Sequence, residues 1–315
     1  MSETVLVTGG SGFIGTWVLR ELLTRGLTPV VFDLQNSAER WKRILGADSE
    51  KVTFIAGNLL DRPLLTRVIQ DHKVSRIIHL AALLTPQCQQ DPFGGCEVNV
   101  MGSVALFELA RMNTGQIRGI SYASSYAVYG PEADDNSLGL KAADNRPPSF
   151  YGAFKMAVDL IAEQYWRHFG IASVGIRPHV AYGPERTVGL TAGPSQAARA
   201  AALSEPFCIN YRGRVGYDYV EDVALAFVRS ALETPSGWAV VDLPGQLATT
   251  EEFVQVIDRV VPGSASRISV DGPVIPSNIP PKPNYINSLF SDWRTSTLED
   301  GVRRTVDFYR KRTPE

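Results

Sequence analysis

The chain has 315 residues, 44% of them hydrophobic and 20% charged, with a formal net charge of -2, which describes a folded globular protein large enough for a main domain and a smaller lobe. A balance so close to neutral offers little to a phosphate backbone, and no apolar run is long enough to cross a bilayer, so neither nucleic acid nor membrane is expected as a partner. The cysteines Cys88, Cys96 and Cys208 and the four histidines have no metal-ligand spacing, so no metal is expected, and thiols of this kind suit a reducing cytoplasm.

The elements follow in chain order. The first apolar run, Val5 to Val7, meets glycine too early for a secretory signal. "TVLVT" reads instead as a strand buried on both faces. "FIGTWVLRELLTRG" carries apolar residues at helical spacing and stops at Gly26. "PVVFDL" and "VTFIAGNL" read as strands, "LLTRVIQDH" as a helix and "SRIIHLAA" as a fourth strand. A helix over "EVNVMGSVALFELARM", a strand over "IRGISYASS", a long helix over "FYGAFKMAVDLIAEQYWRHFG" and a strand over "ASVGIRP" complete this half. Such alternation predicts an α/β fold: a Rossmann-type doubly wound parallel sheet with helices on both faces and right-handed crossovers. Beyond Arg177, "GPERTVGLTAGP", "PSGWAVVDLPG" and "DGPVIPSNIPPKPN" read as Gly/Pro-rich loops between short elements. We therefore expect a dinucleotide-binding domain over 1–177 that also carries the catalytic residues. A smaller substrate lobe is expected over 178–315, with some segments returning to the first domain. Ligands bind at the carboxyl edge of such sheets.

The glycines of "TGGSGFIG" sit between the first strand and the first helix. Gly9 permits a tight turn, Gly12 lets the backbone approach a pyrophosphate, and Gly15 lets helix and strand pack closely. The helix start then presents free N–H groups to the phosphates. Asp33 ends the second strand 18 residues past Gly15; a carboxylate there accepts from ribose hydroxyls and repels a 2′-phosphate, which favours NAD over NADP.

This spacing resembles that of the extended short-chain dehydrogenases, specifically the NAD-dependent epimerase/dehydratase family. "GNLLD", "HLAA", "SSYAVYG", "YGAFK", "RPHVAYGP", "YVEDVA" and "TSTLEDGVRRTV" are similar to family landmarks in the right order. The resemblance implies a cofactor site of Gly9, Gly12, Phe13, Ile14, Gly15, Asp33, Asn58, Leu59, Ala81, Ala82, Asn99, Ser124, Tyr151, Lys155 and Pro178. Asn58 stands where the family usually has an aspartate beside adenine. His79 is expected to pack at a strand end rather than to act in catalysis.

Tyr151 and Lys155 are four apart on one helical face. A nearby ammonium favours the phenolate, so Tyr151 is expected to have a lowered pKa and to take a proton from a substrate hydroxyl. Lys155 is implied to hold the cofactor ribose as well, and Ser125 to bond the same substrate oxygen. Tyr126 and Ala127 follow Ser125 where family dehydratases carry an Asp–Glu pair, so water elimination is not expected.

Tyr126, His179, Arg186 and Arg214 are the further candidates for contacting substrate, with Arg212 close by and "GLTAGPS" expected to border the pocket. Where nucleotide-sugar members carry an asparagine and an arginine that grips a diphosphate, this chain has Val180 and Val215; near the C-terminus only Lys282 is available as a second cation. Valine cannot make a bidentate clamp. The sequence thus favours NAD-dependent oxidation of a secondary alcohol on a small sugar, sugar acid or polyol. A UDP-sugar 4-epimerase with tightly bound NAD is the alternative, and a non-catalytic dinucleotide sensor is a third reading that the intact YGAFK disfavours. A homodimer is expected through the helices over "EVNVMGSVALFELA" and "AFKMAVDLIAEQY", each apolar on more than one face.

Overall fold

A computed structural model describes residues 3–130, 147–233, 237–275 and 283–312. The first half runs β1 (Thr4–Thr8), α1 (Phe13–Thr24), β2 (Thr28–Asp33), α2 (Ala38–Leu45), β3 (Thr53–Ala56), α3 (Arg62–Asp71), β4 (Val74–His79), α4 (Thr85–Gln90), α5 (Pro92–Cys96), α6 (Gly102–Met112), β5 (Ile120–Ala123), α7 (Phe150–Phe169) and β6 (Ser173–Arg177). The second half adds β7 (Val180–Tyr182), α8 (Gly193–Ala202), β8 (Phe207–Ile209), β9 (Arg214–Tyr219), α9 (Val220–Leu232), β10 (Trp238–Asp242), β11 (Gln246–Thr249), α10 (Thr250–Val260), β12 (Ile268–Val270) and α11 (Leu298–Arg310).

Seven strands form one parallel sheet in the order β10-β6-β5-β4-β1-β2-β3. The chain winds one way from β1 to β3 and the other way from β4, so the order reverses between β1 and β4. That is where a crevice opens at the carboxyl edge. Side chains alternate between the faces: Val5 and Val7 join a core built with α1 and α9, while Leu6 joins Leu106 and Phe107 of α6 on the other side. A three-stranded sheet, β11-β9-β7, and a two-stranded one, β12-β8, stand over the carboxyl edge.

Three local departures from the sequence reading have clear causes. The third strand ends at Ala56, because Gly57 must fit under the Phe32 ring and Asn58 turns the chain by accepting from Leu60 N–H at 3.0 Å. The helix after it starts early, at Arg62, because Asp61 caps Leu64 N–H and Pro63 suits a first turn. "WAVVD", flanked by turn residues and read as loop, is β10, paired with β6 from Trp238↔Ser173 to Asp242↔Arg177. A partner more than sixty residues away supplies what local propensity does not.

Candidate active site

The glycine turn is closed by its own atoms. Gly9 has a positive φ of 74°, and a Cβ there would lie 2.6 Å from Ala81 N. A Cβ on Gly15 would strike the Gly9 carbonyl, and one on Gly10 would lie 2.7 Å from Val31. At Gly12 such a Cβ would meet only the Gly9 oxygen, at 3.2 Å, so the space beyond it is open to a ligand. Helix α1 then begins with no side-chain cap and no acid in its first turn, leaving the N–H groups of Phe13, Ile14 and Gly15 to face an anion. Ser11 Oγ is buried beside them without a partner among the described residues. This cradle, with an uncapped helix start and an orphan hydroxyl, fits the pyrophosphate of a dinucleotide. Asp33 closes its edge, accepting from Ser11 N–H at 3.1 Å and Leu34 N–H at 2.8 Å, with lone pairs left for a ribose. Sequence reasoning missed Ser11 and also Arg40, which donates to the Ser11 carbonyl at 2.6 Å. Ser11 lies within the turn, whereas Arg40, 29 residues past it, has no signal in the sequence.

His79, at the end of β4 beside Thr8, is buried and neutral, with its pKa pulled down to about 3 by desolvation and then by Lys155. Ser103 Oγ donates to the Asn99 carbonyl at 2.6 Å, so it accepts from His79 Nε2 at 2.9 Å, and the Thr8 hydroxyl donates to Nδ1 at 2.7 Å. The ring is a clip between β1, β4 and α6. Asn99 differs from expectation. Its amide accepts from Leu83 N–H at 2.8 Å and donates to Leu83 C=O at 2.9 Å, so it holds the loop after β4, which carries Ala81 and Ala82, instead of reaching for the cofactor itself. Leu59 is buried against Gly102 below that loop.

Ser125, Tyr151 and Lys155 meet where β5 ends and α7 begins. Ser149 caps α7 at Gly152 N–H, which fixes the first turn that carries Tyr151. Gly152 lies so close to the Ala127 carbonyl that a Cβ would clash. Lys155 is buried and donates to the Ala123 carbonyl at 2.7 Å, with Nζ 5.6 Å from the Tyr151 ring centre. Burial lowers its pKa to about 8, against the pull of Asp159. The Tyr151 phenol is not lowered as expected. Its hydroxyl is enclosed although part of the side chain reaches the cleft, and desolvation pushes it up to about 12. The Ser125 hydrogen bond and the Arg186 charge pull the other way. Lys155 Nζ, 5.6 Å from the ring centre, spends its hydrogen bond on the Ala123 carbonyl, and the cost of burying the phenolate outweighs what lowers the pKa.

Ser124 also departs from its expected cofactor contact: its hydroxyl donates to Asp159 at 2.8 Å, behind the sheet. Asp159 pairs with Arg177 at 2.7 Å, Arg177 donates to Tyr129 OH at 2.6 Å, and Tyr129 donates to Asp242 at 2.9 Å. Two members of this buried network, Asp159 and Arg177, line a pocket of about 450 Å³ with Met156, Leu160 and Trp238. Its one sequence signal was Asp159, four residues past Lys155 on the same helix.

On the substrate side, the Tyr126 ring stacks on His179 at 3.3 Å between centres, and Tyr126 N–H donates to the Pro178 carbonyl at 3.2 Å. Glycines at 216 and 245 leave room for the imidazole, which burial keeps neutral at about 3. Asp218 accepts from His179 N–H at 2.7 Å and Gly245 N–H at 3.0 Å, and burial lifts its pKa to about 7. Arg186 donates to the Ala181 carbonyl and, at 2.8 Å, to Thr191 Oγ1, and burial lowers its pKa to about 10. "GLTAGPS" supplies Thr191, whereas its Ser195 turns inward to accept from Gly183 N–H at 3.1 Å. Arg214 is exposed at the start of β9, opposite Thr249, and Arg212 pairs with Asp271 at 3.2 Å on the surface. Val215 packs toward the apolar core. Lys282 lies outside the described residues.

The model of the NAD dependent epimerase/dehydratase family matches residues 5–240. The chain belongs to that family. Epimerase/dehydratase family members are NAD-dependent enzymes, and this chain is one, with NAD as its cofactor. A UDP-glucose 4-epimerase of Mycolicibacterium smegmatis is 28% identical over 98% of this chain and 99% of its own length. Another, from Rhizobium leguminosarum bv. trifolii, is 30% identical over 82% of each chain. Among solved structures, a Thermus thermophilus UDP-glucose 4-epimerase in complex with NAD superposes with a TM-score of 0.76 at 25% identity, covering 98% of this chain and all (100%) of that one. No helix among the described residues is long and apolar enough to cross a membrane.

Proposed function

We propose that this protein is a nucleotide-sugar 4-epimerase that retains its NAD from one turnover to the next. The observation that carries the proposal is the meeting of Ser125, Tyr151 and Lys155 at the carboxyl edge of the sheet, in a chain similar along its whole length to UDP-glucose 4-epimerases. NAD, when bound, takes a hydride from a hydroxyl-bearing carbon and can give it back. The chain's own groups manage the proton. Tyr151 rests as a phenol, the form that returns a proton to a ketone; its Ser125 bond and the Arg186 charge ease loss of that proton when an alcohol is oxidised. Ser125 keeps the reacting oxygen in line, and Lys155, fixed by Ala123, holds the cofactor ribose. The glycine turn, the start of α1 and Asp33 hold the rest.

One observation favours a second reading. β9 presents Val215 to the core and only an exposed Arg214 at its end, a poor grip for a diphosphate. That suits a smaller sugar, sugar acid or polyol, oxidised with NADH released. The full-length similarity to epimerases weighs against it. We further propose a cytoplasmic homodimer through α6 and α7, supported by the exposed apolar side chains of Met101, just before α6, and Phe150, at the start of α7, and by the unpaired cysteines; light scattering reads the mass.

Two measurements test the catalytic reading. The freshly purified protein is denatured and any released nucleotide identified by mass, and UDP-galactose is incubated with the protein without added cofactor and followed to UDP-glucose. Near-equimolar NAD and interconversion are expected. An empty site, with net NADH formed from a polyol or sugar acid, overturns the epimerase in favour of the dehydrogenase.

A further inference from the structure

We infer that Arg186 binds an anionic group of the substrate, a phosphate or a carboxylate, beside Tyr151. This rests on the reading above that the cleft at Tyr151 holds a sugar-like substrate. Two guanidinium groups are partly buried near this cleft, and they are treated differently. Arg177 is matched by Asp159 at 2.7 Å. Arg186 has only neutral partners, the Ala181 carbonyl and the Thr191 hydroxyl, and none of the described residues gives it a carboxylate. Arginine does not shed its proton in this setting, and a half-buried cation without a counter-ion is costly to keep. Two of its five N–H donors are engaged by those neutral groups, which leaves a fork able to take a carboxylate or phosphate bidentately.

Its position gives the anion a place. The guanidinium stands 6.0 Å from the centre of the Phe13 ring, at the start of α1. A Cβ on Gly189 would come within 3.6 Å of Nη2, and the same point lies 3.8 Å from Leu84, so the group sits between the two loops that overhang the crevice. It is electrostatically coupled to both Tyr151 and Tyr211. The N–H groups at the start of α1 suit a pyrophosphate by themselves, and the Arg186 charge acts on the Tyr151 phenol, which ties it to the substrate side.

The test uses the NAD-loaded protein and calorimetric titration with UDP and, separately, with D-glucuronate, for the wild type, Arg186→Gln and Arg186→Lys. At least one anion is expected to bind the wild type. Arg186→Gln is expected to weaken it roughly 10- to 100-fold, the range for a charged hydrogen bond, with Arg186→Lys between. NAD affinity and the thermal midpoint stay at wild-type values, which separates a lost contact from a lost fold. Equal anion affinity in Arg186→Gln, no binding of either anion to the wild type, or a parallel loss of NAD affinity each overturns the inference; the last would place Arg186 on the cofactor. The two arms identify the source: dependence of UDP binding assigns a phosphate, dependence of glucuronate binding a carboxylate. An Arg186-dependent glucuronate site in a protein that leaves UDP-galactose unchanged would keep this inference while removing the nucleotide-sugar reading.

Discussion

At the cofactor end of the crevice the backbone dictates the residues. Gly9, Gly10 and Gly15 are required because carbonyls, amides and Val31 occupy the space a side chain would need. At the substrate end the constraint is carried by side chains. Asp218 pins two loops, Tyr126 stacks on His179, and Arg186 stands without a counter-ion. A site made of backbone changes little with sequence, because almost any substitution collides. A site made of side chains changes with single substitutions, so one scaffold keeps one cofactor and takes many substrates.

The largest effect expected lies between the two ends. Tyr151→Phe should lower kcat roughly 10²- to 10⁴-fold, the usual contribution of a positioned proton-transfer group, while bound NAD stays equimolar. Loss of NAD together with activity would mean that the phenol belongs to the cofactor end. Next come two glycines that separate packing from binding. Gly15→Ala should destabilise the protein by roughly 3 kcal/mol, since its methyl meets the Gly9 carbonyl. Gly12→Ala should lower the thermal midpoint of the cofactor-free protein much less, since only the Gly9 oxygen at 3.2 Å has to give, and should weaken NAD. Equal midpoints for the two variants would erase the distinction.

Asp218 sharpens the substrate side. Its native pKa near 7 lies above the 3.8 of an ordinary aspartate, so the folded protein holds a proton that the unfolded chain releases. The contribution of this group to stability is therefore greatest below about pH 4, declines as the pH rises to 7, and is level above that. Asp218→Asn should flatten that part of the urea-midpoint profile; an unchanged slope would assign the pH dependence elsewhere. The smallest effect is expected from Arg212→Ala, which breaks an exposed pair with Asp271 and should cost less than about 1 kcal/mol in a urea titration.

Much of this was legible in the sequence, and for a physical reason. The glycine turn and the Tyr151–Lys155 pair are set by spacing within one turn or one helix, and Asp33 by the end of the next strand, so a linear pattern carries them. Ser124 and Asn99 were placed near the right loops but turn elsewhere, because Asp159 and Leu83 compete for their hydrogen bonds. The Tyr151 pKa was misread because a spacing of four residues gives proximity to the lysine but not the burial that raises the phenol. The buried Arg177 network joins residues from Ser124 to Asp242, and no local pattern announces such a chain of contacts.

The pairing of β10 with β6 has a consequence for how the chain is made. A ribosome has to deliver residue 242 before the seventh strand of the sheet can close, although β6 ends at residue 177. Until then β6 is an open edge, the kind of surface that recruits other chains. A fragment cut at the apparent domain boundary would keep every cofactor residue of the first strands and expose that edge permanently. It should therefore clump rather than fold, whereas the full-length chain delays its final closure and shields the edge with its own later segment.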